Sequence, residues 1–372
     1  MAGYSFPVVR ISGRPYERGV QYGTAAASQI HNTIEAYTLI FKFLTGWEWQ
    51  DAQHHAHNYF EPIQQHTPHL IAEMRGIAHG AGVSMADIMA LNVRTEIINA
   101  ARARAAKECT AFVLPPGLTN DKHILIGQNW DWNVATAASV IILEVESAER
   151  PHFVTIVEAG LLAKCGMNAA GIGLATNAMN SSLDCGEAGL PYHVILRSIL
   201  ESESLAEAED CVLRPYRASA ANYLIAHQSG QAVNIEVAPG KEQFASTTMI
   251  TDSLFCHTNH YLHTQLPFND LVPQREPDTL LRYNQFMALI HKHTDKELTP
   301  KTLANILADH HNYPSALCCH SSANLHPAEQ YATIASVIMD LNTRKMCLAQ
   351  GNPCAAPFLE REYASFLNQH YS

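Results

Sequence analysis

Cys109, Asp131 and Asn259 combine residue types that can perform nucleophilic chemistry on a carbonyl group. If the peptide bond between Glu108 and Cys109 breaks, the new terminus carries a thiol and an α-amino group on one residue. A free α-amine has a pKa of about 8, so much of it can accept a proton at neutral pH. It can take the thiol proton directly or through a water, and no separate histidine is required. Cys109 is therefore a candidate nucleophile that supplies its own base.

The bond before Cys109 is also a candidate site of self-cleavage. The same thiol can attack the carbonyl carbon of Glu108, and this N→S acyl shift gives a thioester that water can hydrolyse. Residues 100–108 read AARARAAKE, a basic segment of small residues where helical patterns give way to strand patterns. Exposed segments of this kind can be cut without loss of the fold. We therefore predict an inactive precursor that is activated by cleavage between Glu108 and Cys109.

Polar residues further along the chain could supply the other groups that this chemistry needs. A hairpin between the strand that begins at Cys109 and the segment IGQNWDW would bring Asp131 back to the nucleophile, where its carboxylate could orient the ammonium or hold a water. Gln128 and Asn129 could donate hydrogen bonds. Asn259 lies near a predicted strand end, where its amide could stabilise an oxyanion. From the residues alone, a simpler explanation remains open. Cys109 would then be a buried core residue, Asp131 a turn residue and Asn259 a cap at the end of a strand.

Blocks of helical and strand patterns must position these residues. The apolar spacing typical of helices occurs over the following segments: 24–45, 51–64, 68–81, 85–102, 190–212, 276–293 and 298–309. Short β-rich runs begin at Cys109 and return between the later helices, and the last two, TIASVIMDL and KMCLAQG, are predicted to form a hairpin. Because the strands cluster rather than alternate with single helices, the pattern favours an α+β layered fold over a doubly wound α/β sheet.

The composition indicates a globular protein with a sizeable core and excludes several classes of partner. Apolar residues make up 47% and charged residues 16% of the chain, and the formal net charge is -11. A nucleic-acid binder needs a basic face, which this balance does not supply. Repulsion from anionic lipid argues against a role at a membrane surface, and no run of about 18 apolar residues predicts a transmembrane helix. The first residues lack the apolar region of a signal peptide, so the cytoplasm is the expected location.

The cysteines and histidines do not have the sequence spacing of a known metal centre. The nine cysteines are scattered without a C-x-x-C pair, and Cys318 and Cys319 are adjacent. The histidine clusters HHAH at 54–57 and DHH at 309–311 fall on predicted polar helix faces or loops. We therefore expect no metal ion and no organic cofactor.

Segments along nearly the whole chain resemble one enzyme family. They are GRPYERGVQYG, EMRGIAHGAG, LNVRTE, ECTAF, GQNWDW, EAGLLAKCGMNAAGIG, PYHVILR, HTNH, NYP and TIASVIMDL. Their order and spacing resemble the acyl-coenzyme A:6-aminopenicillanic acid acyltransferases, also called isopenicillin N acyltransferases, a group that includes insect β-alanyl-amine hydrolases. Members of this family are N-terminal-nucleophile hydrolases that fold as a four-layer αββα sandwich. The resemblance therefore implies this fold in one domain over residues 1–372.

The same resemblance implies the catalytic residues. The family matures by cleavage just before the cysteine of its CT motif, which is Cys109 here, giving a helical α chain over 1–108 and a β chain over 109–372. The aspartate of the NWD motif is Asp131, and the asparagine of the HTNH motif, which the family uses in the oxyanion hole, is Asn259. The substrate pocket is expected to contain four further residues, which are Trp132, Asn133, His257 and Cys319.

Several positions around this pocket depart from the family pattern. The SICRH segment of the family reads ALCCH at 316–320, so Cys319 occupies the position of the catalytic-site arginine. A thiol cannot replace the charge of a guanidinium group. Glu108 stands where the penicillin enzyme has glycine, and Trp132 and Asn133 replace two aromatic pocket residues. These differences leave the reaction class better defined than the substrate.

Three hypotheses about function follow from the resemblance. In the first, Cys109 forms a thioester with an acyl-CoA or a small amide and passes the acyl group to an amine acceptor, such as 6-aminopenicillanic acid, or to water. In the second, the enzyme is an amidohydrolase of β-alanyl or aminoacyl amines. In the third, the chain is an uncleaved, non-catalytic homologue with a binding role. The first two imply small-molecule substrates, with the α and β chains of one precursor as each other's partners.

Overall fold

Two β-sheets and their flanking helices form the part of the chain that the computed structural model describes, which comprises residues 6–101, 109–240, 244–293 and 298–368. The strands are β1 (Val8–Ser12), β2 (Thr110–Leu114), β3 (Leu125–Asn133), β4 (Val140–Glu146), β5 (Phe153–Glu158), β6 (Cys165–Asn168), β7 (Ile172–Ala178), β8 (Ala221–His227), β9 (Ala232–Val237), β10 (Ala245–Ile250), β11 (Phe255–His257), β12 (Tyr331–Asp340), β13 (Lys345–Gln350) and β14 (Leu359–Glu362). The α-helices are α1 (Pro15–Ala25), α2 (Ala27–Thr45), α3 (Trp49–Ala56), α4 (Phe60–His66), α5 (Pro68–Ala81), α6 (Met85–Asn92), α7 (Arg94–Ala100), α8 (Tyr192–Leu200), α9 (Leu205–Leu213), α10 (Val272–Arg275), α11 (Asp278–His291), α12 (Pro300–Leu307) and α13 (Ala364–Leu367). Within these described segments, every helix is too short or too polar to cross a membrane.

The two sheets are stacked with their apolar faces together. The larger has eight strands in the order β1-β4-β5-β6-β7-β8-β9-β10, and the smaller has six in the order β11-β2-β3-β12-β13-β14. The Gln128 side chain of β3 accepts a hydrogen bond of 2.9 Å from the Thr176 amide of β7. Apolar residues on the facing sides of both sheets belong to one buried cluster. The space between the sheets is therefore a packed core that polar side chains cross at a few points.

Helices cover the outer face of each sheet. On the smaller sheet, alternation along β2 points Phe112 and Leu114 toward α11 and α12, and Phe112 stacks on Phe286 with ring centroids 5.4 Å apart. On the larger sheet, the Thr176 hydroxyl of β7 lies 2.7 Å from the Tyr192 hydroxyl of α8. The order of layers is helix, sheet, sheet, helix, which confirms the four-layer α+β fold expected from the sequence.

The helices of the first hundred residues pack on the same side as α8. Tyr37 of α2 donates a hydrogen bond of 2.7 Å to Glu158 of β5. Helices α1 and α5 cross closely because glycines face the partner backbone. A Cβ on Gly19 would lie 2.1 Å from the Glu73 carbonyl oxygen, and one on Gly76 would lie 2.2 Å from a carbonyl oxygen of α1. Any larger residue at these two positions would force the helices apart.

A buried ion-pair network joins α1, α5 and α8. The Glu73 carboxylate is fully buried and accepts two hydrogen bonds of 2.8 Å from Arg197 and another of 2.8 Å from Arg18. Burial alone would raise the pKa of Glu73, but the Arg197 and Arg18 guanidinium groups hold it below its usual value. The packing of the three helices therefore depends on the Glu73 carboxylate, which neutralises the buried guanidinium groups of Arg197 and Arg18.

Glu73→Gln is expected to lower the free energy of unfolding by about 3–5 kcal/mol, because removing one partner of a buried ion pair leaves charge uncompensated. Urea unfolding at neutral pH, followed by circular dichroism, measures the change. The control is Glu61→Gln, which removes an exposed carboxylate from α4 and should alter stability by less than about 0.5 kcal/mol. Equal losses in the two variants would contradict the stabilising role of the buried carboxylate.

Three predicted helices are interrupted, and four strands have no counterpart in the sequence prediction. The segment 51–64 is divided into α3 and α4 by a 3₁₀ turn over His57–Tyr59. The segment 190–212 forms α8 and α9, because the Ser204 side chain accepts a hydrogen bond from the Glu207 amide and begins a new helix. The segment 85–102 breaks at Val93, after Asn92 turns its side chain to the Gly160 carbonyl and the Leu162 amide. The unpredicted strands are β1, β6, β10 and β14. Local hydrogen bonds thus override the apolar spacing.

Candidate active site

The predicted hairpin between β2 and β3 is present, and Cys109 lies at its start. Thr110 pairs with Asn129 and Ala111 pairs with Gln128 in antiparallel register. Cys109 directly precedes β2, is fully buried and has a φ of 45°. This left-handed conformation costs a residue with a side chain on the order of 1–3 kcal/mol. Its surroundings must therefore hold Cys109 in a conformation that it would not adopt freely.

Three polar side chains from three elements hold Cys109. The Gln128 amide nitrogen of β3 lies 3.6 Å from the Cys109 Sγ. The Cys109 carbonyl oxygen accepts a hydrogen bond of 3.0 Å from Asn177 Nδ2 of β7 and one of 2.8 Å from Arg282 Nη1 of α11. The backbone of the candidate nucleophile is thus fixed from the facing sheet and from the outer helix at once.

Asn259 follows the end of β11, as predicted, and β11 pairs with β2 beside the nucleophile. Its Oδ1 accepts a hydrogen bond of 2.8 Å from Arg282 Nη2, and its Nδ2 donates one of 3.0 Å to the Ala178 carbonyl oxygen. A side-chain amide has two N–H bonds, and the contact with Ala178 uses one of them. Arg282 therefore bridges Cys109 and the predicted oxyanion donor through the two nitrogens of one guanidinium group.

Asp131 is buried on β3, where the Thr333 hydroxyl of β12 donates a hydrogen bond to its carboxylate. The same hydroxyl oxygen accepts a hydrogen bond of 2.9 Å from the Cys319 amide. Thr333 therefore links the predicted catalytic aspartate to the residue in the position of the family arginine. The Asp131 carboxylate also lies close enough to the Arg282 guanidinium group to raise the pKa of that group.

Arg282 supplies a buried cation to this site. Its Nε pairs with Asp278 Oδ2 at 3.2 Å, and the side chain is almost completely shielded from solvent. Burial alone would lower the pKa of Arg282, but the Asp278 and Asp131 carboxylates hold it above its usual value. The site therefore contains a guanidinium group although Cys319 stands where the family has its arginine.

No motif in the sequence identifies Arg282, but the helical pattern contains a signal that could have done so. Thr279, Arg282, Phe286 and Ile290 form the buried side of α11 at spacings of three and four residues. An arginine within an apolar stripe must have partners inside the protein, since an unpaired buried charge is costly. Such an arginine is a candidate for a site residue even where its partners are unknown.

The predicted pocket residues on β3 and β11 are buried and have partners within the protein. Trp132 Nε1 donates a hydrogen bond of 2.7 Å to the Tyr37 hydroxyl. Asn133 Oδ1 accepts a hydrogen bond of 3.0 Å from the Ala135 amide in the turn that follows β3. His257 Nε2 lies 2.9 Å from Glu236 Oε1. Their contact with a substrate stays a prediction.

Glu108, on the other side of the predicted cleavage bond, lies outside the described residues. Cys109 contacts a guanidinium group, that of Arg282, which also binds the Asn259 carboxamide and pairs with the Asp278 carboxylate. These are the groups that acyl transfer to a thiol requires, which are a nucleophile, a donor for the oxyanion and charges that orient both.

Comparison with known proteins gives one family and several relatives. The sequence model of the family "Acyl-coenzyme A:6-aminopenicillanic acid acyl-transferase" matches residues 118–355. The chain is 28% identical, over 346 residues, to the 40 kDa form of the acyl-coenzyme A:6-aminopenicillanic-acid-acyltransferase of Emericella nidulans, covering 93% of this chain and 92% of that protein. Among solved structures, a mutant conjugated bile acid hydrolase from Clostridium perfringens has a TM-score of 0.47 at 14% identity, covering 70% of this chain and 94% of that one. Penicillin V acylase from Agrobacterium tumefaciens has a TM-score of 0.45 at 10% identity, covering 71% and 89%.

Proposed function

Because the chain belongs to the acyl-coenzyme A:6-aminopenicillanic acid acyl-transferase family, we propose that it is a self-cleaving enzyme that transfers acyl groups through a thioester on Cys109. The observation that carries the proposal is the way Cys109 is held. Its φ is left-handed, and its carbonyl oxygen accepts hydrogen bonds from both Asn177 and Arg282. A cysteine that only filled the core would need neither a strained backbone nor two polar side chains on its carbonyl group.

In the proposed maturation, the Cys109 thiol attacks the carbonyl carbon of Glu108 and the peptide nitrogen leaves as the α-amine. Water then hydrolyses the thioester, which leaves a carboxylate on Glu108 and regenerates the thiol. The products are an α chain of residues 1–108 and a β chain of residues 109–372, held together in one domain. Strain at Cys109 favours cleavage there, and its complete burial agrees with a closed precursor.

In the proposed mature enzyme, the α-amine of Cys109 takes the thiol proton, and the thiolate attacks the carbonyl carbon of the acyl donor. The second N–H of Asn259 holds the oxyanion, and Arg282 orients that amide through its Oδ1. The leaving group departs with the proton, and the thioester is then attacked by the acceptor. The donor is an acyl-CoA or a small amide, and the acceptor is an amine. The required free thiol agrees with the predicted cytoplasmic location.

Mass spectrometry of the purified, intact protein tests the maturation step. We expect two fragments, residues 1–108 and residues 109–372, in place of one chain of 41.0 kDa. A variant lacking the exposed Cys185 thiol, Cys185→Ser, is the control and should be cleaved to the same extent. An intact chain that turns over substrate would contradict the amine-assisted mechanism. An intact chain without activity would favour the non-catalytic homologue.

The acceptor decides whether the enzyme is a transferase or an amidohydrolase. Release of free thiol from an acyl-CoA should accelerate when 6-aminopenicillanic acid is added if an amine is the acceptor. A rate that is independent of added amine would identify water as the acceptor and favour the amidohydrolase of β-alanyl or aminoacyl amines. Whether an amine or water attacks the thioester depends on how well the site excludes water.

A further inference from the structure

Four side chains at the edge of the smaller sheet converge on one point. They are His310, Cys318, His320 and Cys354, and their four potential ligand atoms all lie within 4.8 Å of one another. Three of them belong to the loop between α12 and β12, and Cys354 belongs to the loop between β13 and β14. Cys354 lies 34 residues beyond His320 in sequence, so the spacing of ligands along the chain does not indicate the cluster.

The distances from His320 Nε2 to the other three ligand atoms are close to those of a tetrahedral metal centre. His310 Nε2 lies 3.0 Å from His320 Nε2, and the Sγ atoms of Cys318 and Cys354 lie 3.3 and 3.5 Å from that same nitrogen. A tetrahedral zinc ion has bonds of about 2.0–2.1 Å to nitrogen and about 2.3 Å to sulfur, which separates two nitrogens by about 3.3 Å and a nitrogen from a sulfur by about 3.6 Å. The observed separations agree with these values to within a few tenths of an ångström.

Hydrogen bonds among the four side chains explain the cluster less well than a cation does. Three atoms crowd His320 Nε2, but one ring nitrogen either donates a single hydrogen bond or accepts one. Two imidazole nitrogens and two sulfurs can instead each direct a lone pair at a common centre. The arrangement therefore matches coordination, in which every ligand atom has the same role.

We propose that His310, Cys318, His320 and Cys354 bind one zinc ion. Two thiolates and two imidazoles form a ligand set that zinc favours, and the ion would displace the thiol protons on binding. Because the protein supplies four ligands, no position is open for water, and the ion has a structural role. His310 and Cys354 are exposed, so the ion has a route from solvent. This proposal departs from the sequence expectation that no metal is bound, which considered only spacing along the chain.

The proposed site lies directly beside the candidate active site. Cys319 stands between two of the ligands in sequence, and its amide binds Thr333, the partner of Asp131. The Asn352 side chain lies 3.6 Å from Cys318 Sγ and donates a hydrogen bond of 2.6 Å to the Cys319 carbonyl oxygen. Zinc would therefore fix the backbone of Cys319 against the wall of the active site, as outer contacts around metal ligands commonly do.

Elemental analysis of the purified, full-length protein tests the proposal, and we expect about one zinc ion per chain. Cys354→Ser and His310→Ala should each weaken zinc binding at least 10-fold, measured by competition with a chromogenic chelator. The matched controls are Cys185→Ser, which removes an exposed cysteine elsewhere, and His311→Ala, which removes the neighbouring exposed histidine. Both controls should keep the zinc content of the wild-type protein.

Other results would overturn the assignment. One is a wild-type protein that contains no zinc after incubation with zinc sulfate, or that contains a different metal. Another is a Cys318–Cys354 disulfide in peptide mass spectra. A third is equal zinc content in all variants. Replacement of zinc by cobalt provides an independent readout, because two thiolates should give charge-transfer bands that fall to about half in Cys354→Ser. Neither measurement depends on cleavage or acyl transfer, so the zinc proposal can fail or succeed separately from the proposed function.

Discussion

Replacing Cys109 with alanine is expected to abolish both self-cleavage and acyl transfer. In the proposed mechanism the same sulfur attacks the Glu108 carbonyl carbon in the precursor and the donor carbonyl carbon in the mature enzyme. A methyl group can do neither, so kcat/KM should fall on the order of 10⁴-fold or more. The variant should be isolated as one chain of 41.0 kDa. Intact mass and the release of free thiol from an acyl-CoA measure the two losses.

Cys256→Ala is a closely matched control for the loss of a buried thiol. Cys256 lies on β11, pairs with Phe112 of β2 and is buried, as Cys109 is. The control should be cleaved and active, although its stability will fall by the cost of a small cavity. A Cys109→Ala protein that is still cut before residue 109 would show that cleavage is not autocatalytic. A Cys109→Ala protein with undiminished turnover would remove Cys109 from the mechanism altogether.

The parts of the site that are local in sequence could be predicted, because local geometry determines them. A strand that begins at Cys109, followed by a turn and IGQNWDW, can only return Asp131 toward its starting point, and β2 and β3 do form that hairpin. The block pattern of helices and strands likewise predicted layers of α+β type. Asn259 lies just beyond the end of β11, near the strand end that the sequence predicted for it.

The contacts that depend on packing could not be predicted in this way. Arg282 binds the Cys109 carbonyl oxygen across 173 positions in sequence, and Asn177 does so across 68. The first contact exists because α11 packs on β2, and the second exists because β7 of the larger sheet stacks against β2. The sequence of a single segment cannot predict such packing between distant elements. The cluster of His310, Cys318, His320 and Cys354 is likewise formed by two loops that tertiary structure brings together. Spacing rules detect ligands on one turn or hairpin and miss ligands that meet only in the folded chain.

Arg282→Lys is expected to lower kcat/KM by about 10²-fold with only a small loss of stability. The guanidinium group places Nη1 on the Cys109 carbonyl oxygen and Nη2 on Asn259 Oδ1, each at 2.8 Å. A lysine ammonium keeps the positive charge beside Asp278 and Asp131, but a single nitrogen cannot span both acceptors in the same geometry. Misplacement of a reacting group by about 1 Å can reduce a rate about 10²-fold. Steady-state kinetics on the mature enzyme measures the change.

A purely structural role for Arg282 would give a different pattern. Asp278→Asn removes an ion-pair partner of the same guanidinium group but leaves its contacts with Cys109 and Asn259 in place. This control should therefore lose stability while its kcat stays within a few-fold of the wild-type value. In Arg282→Lys, the loss should fall on kcat with little change in KM, because the oxyanion develops only after the substrate is bound. If both variants instead lost stability and activity in parallel, Arg282 would be a packing residue, and the orientation of Asn259 would have to come from the Ala178 carbonyl alone.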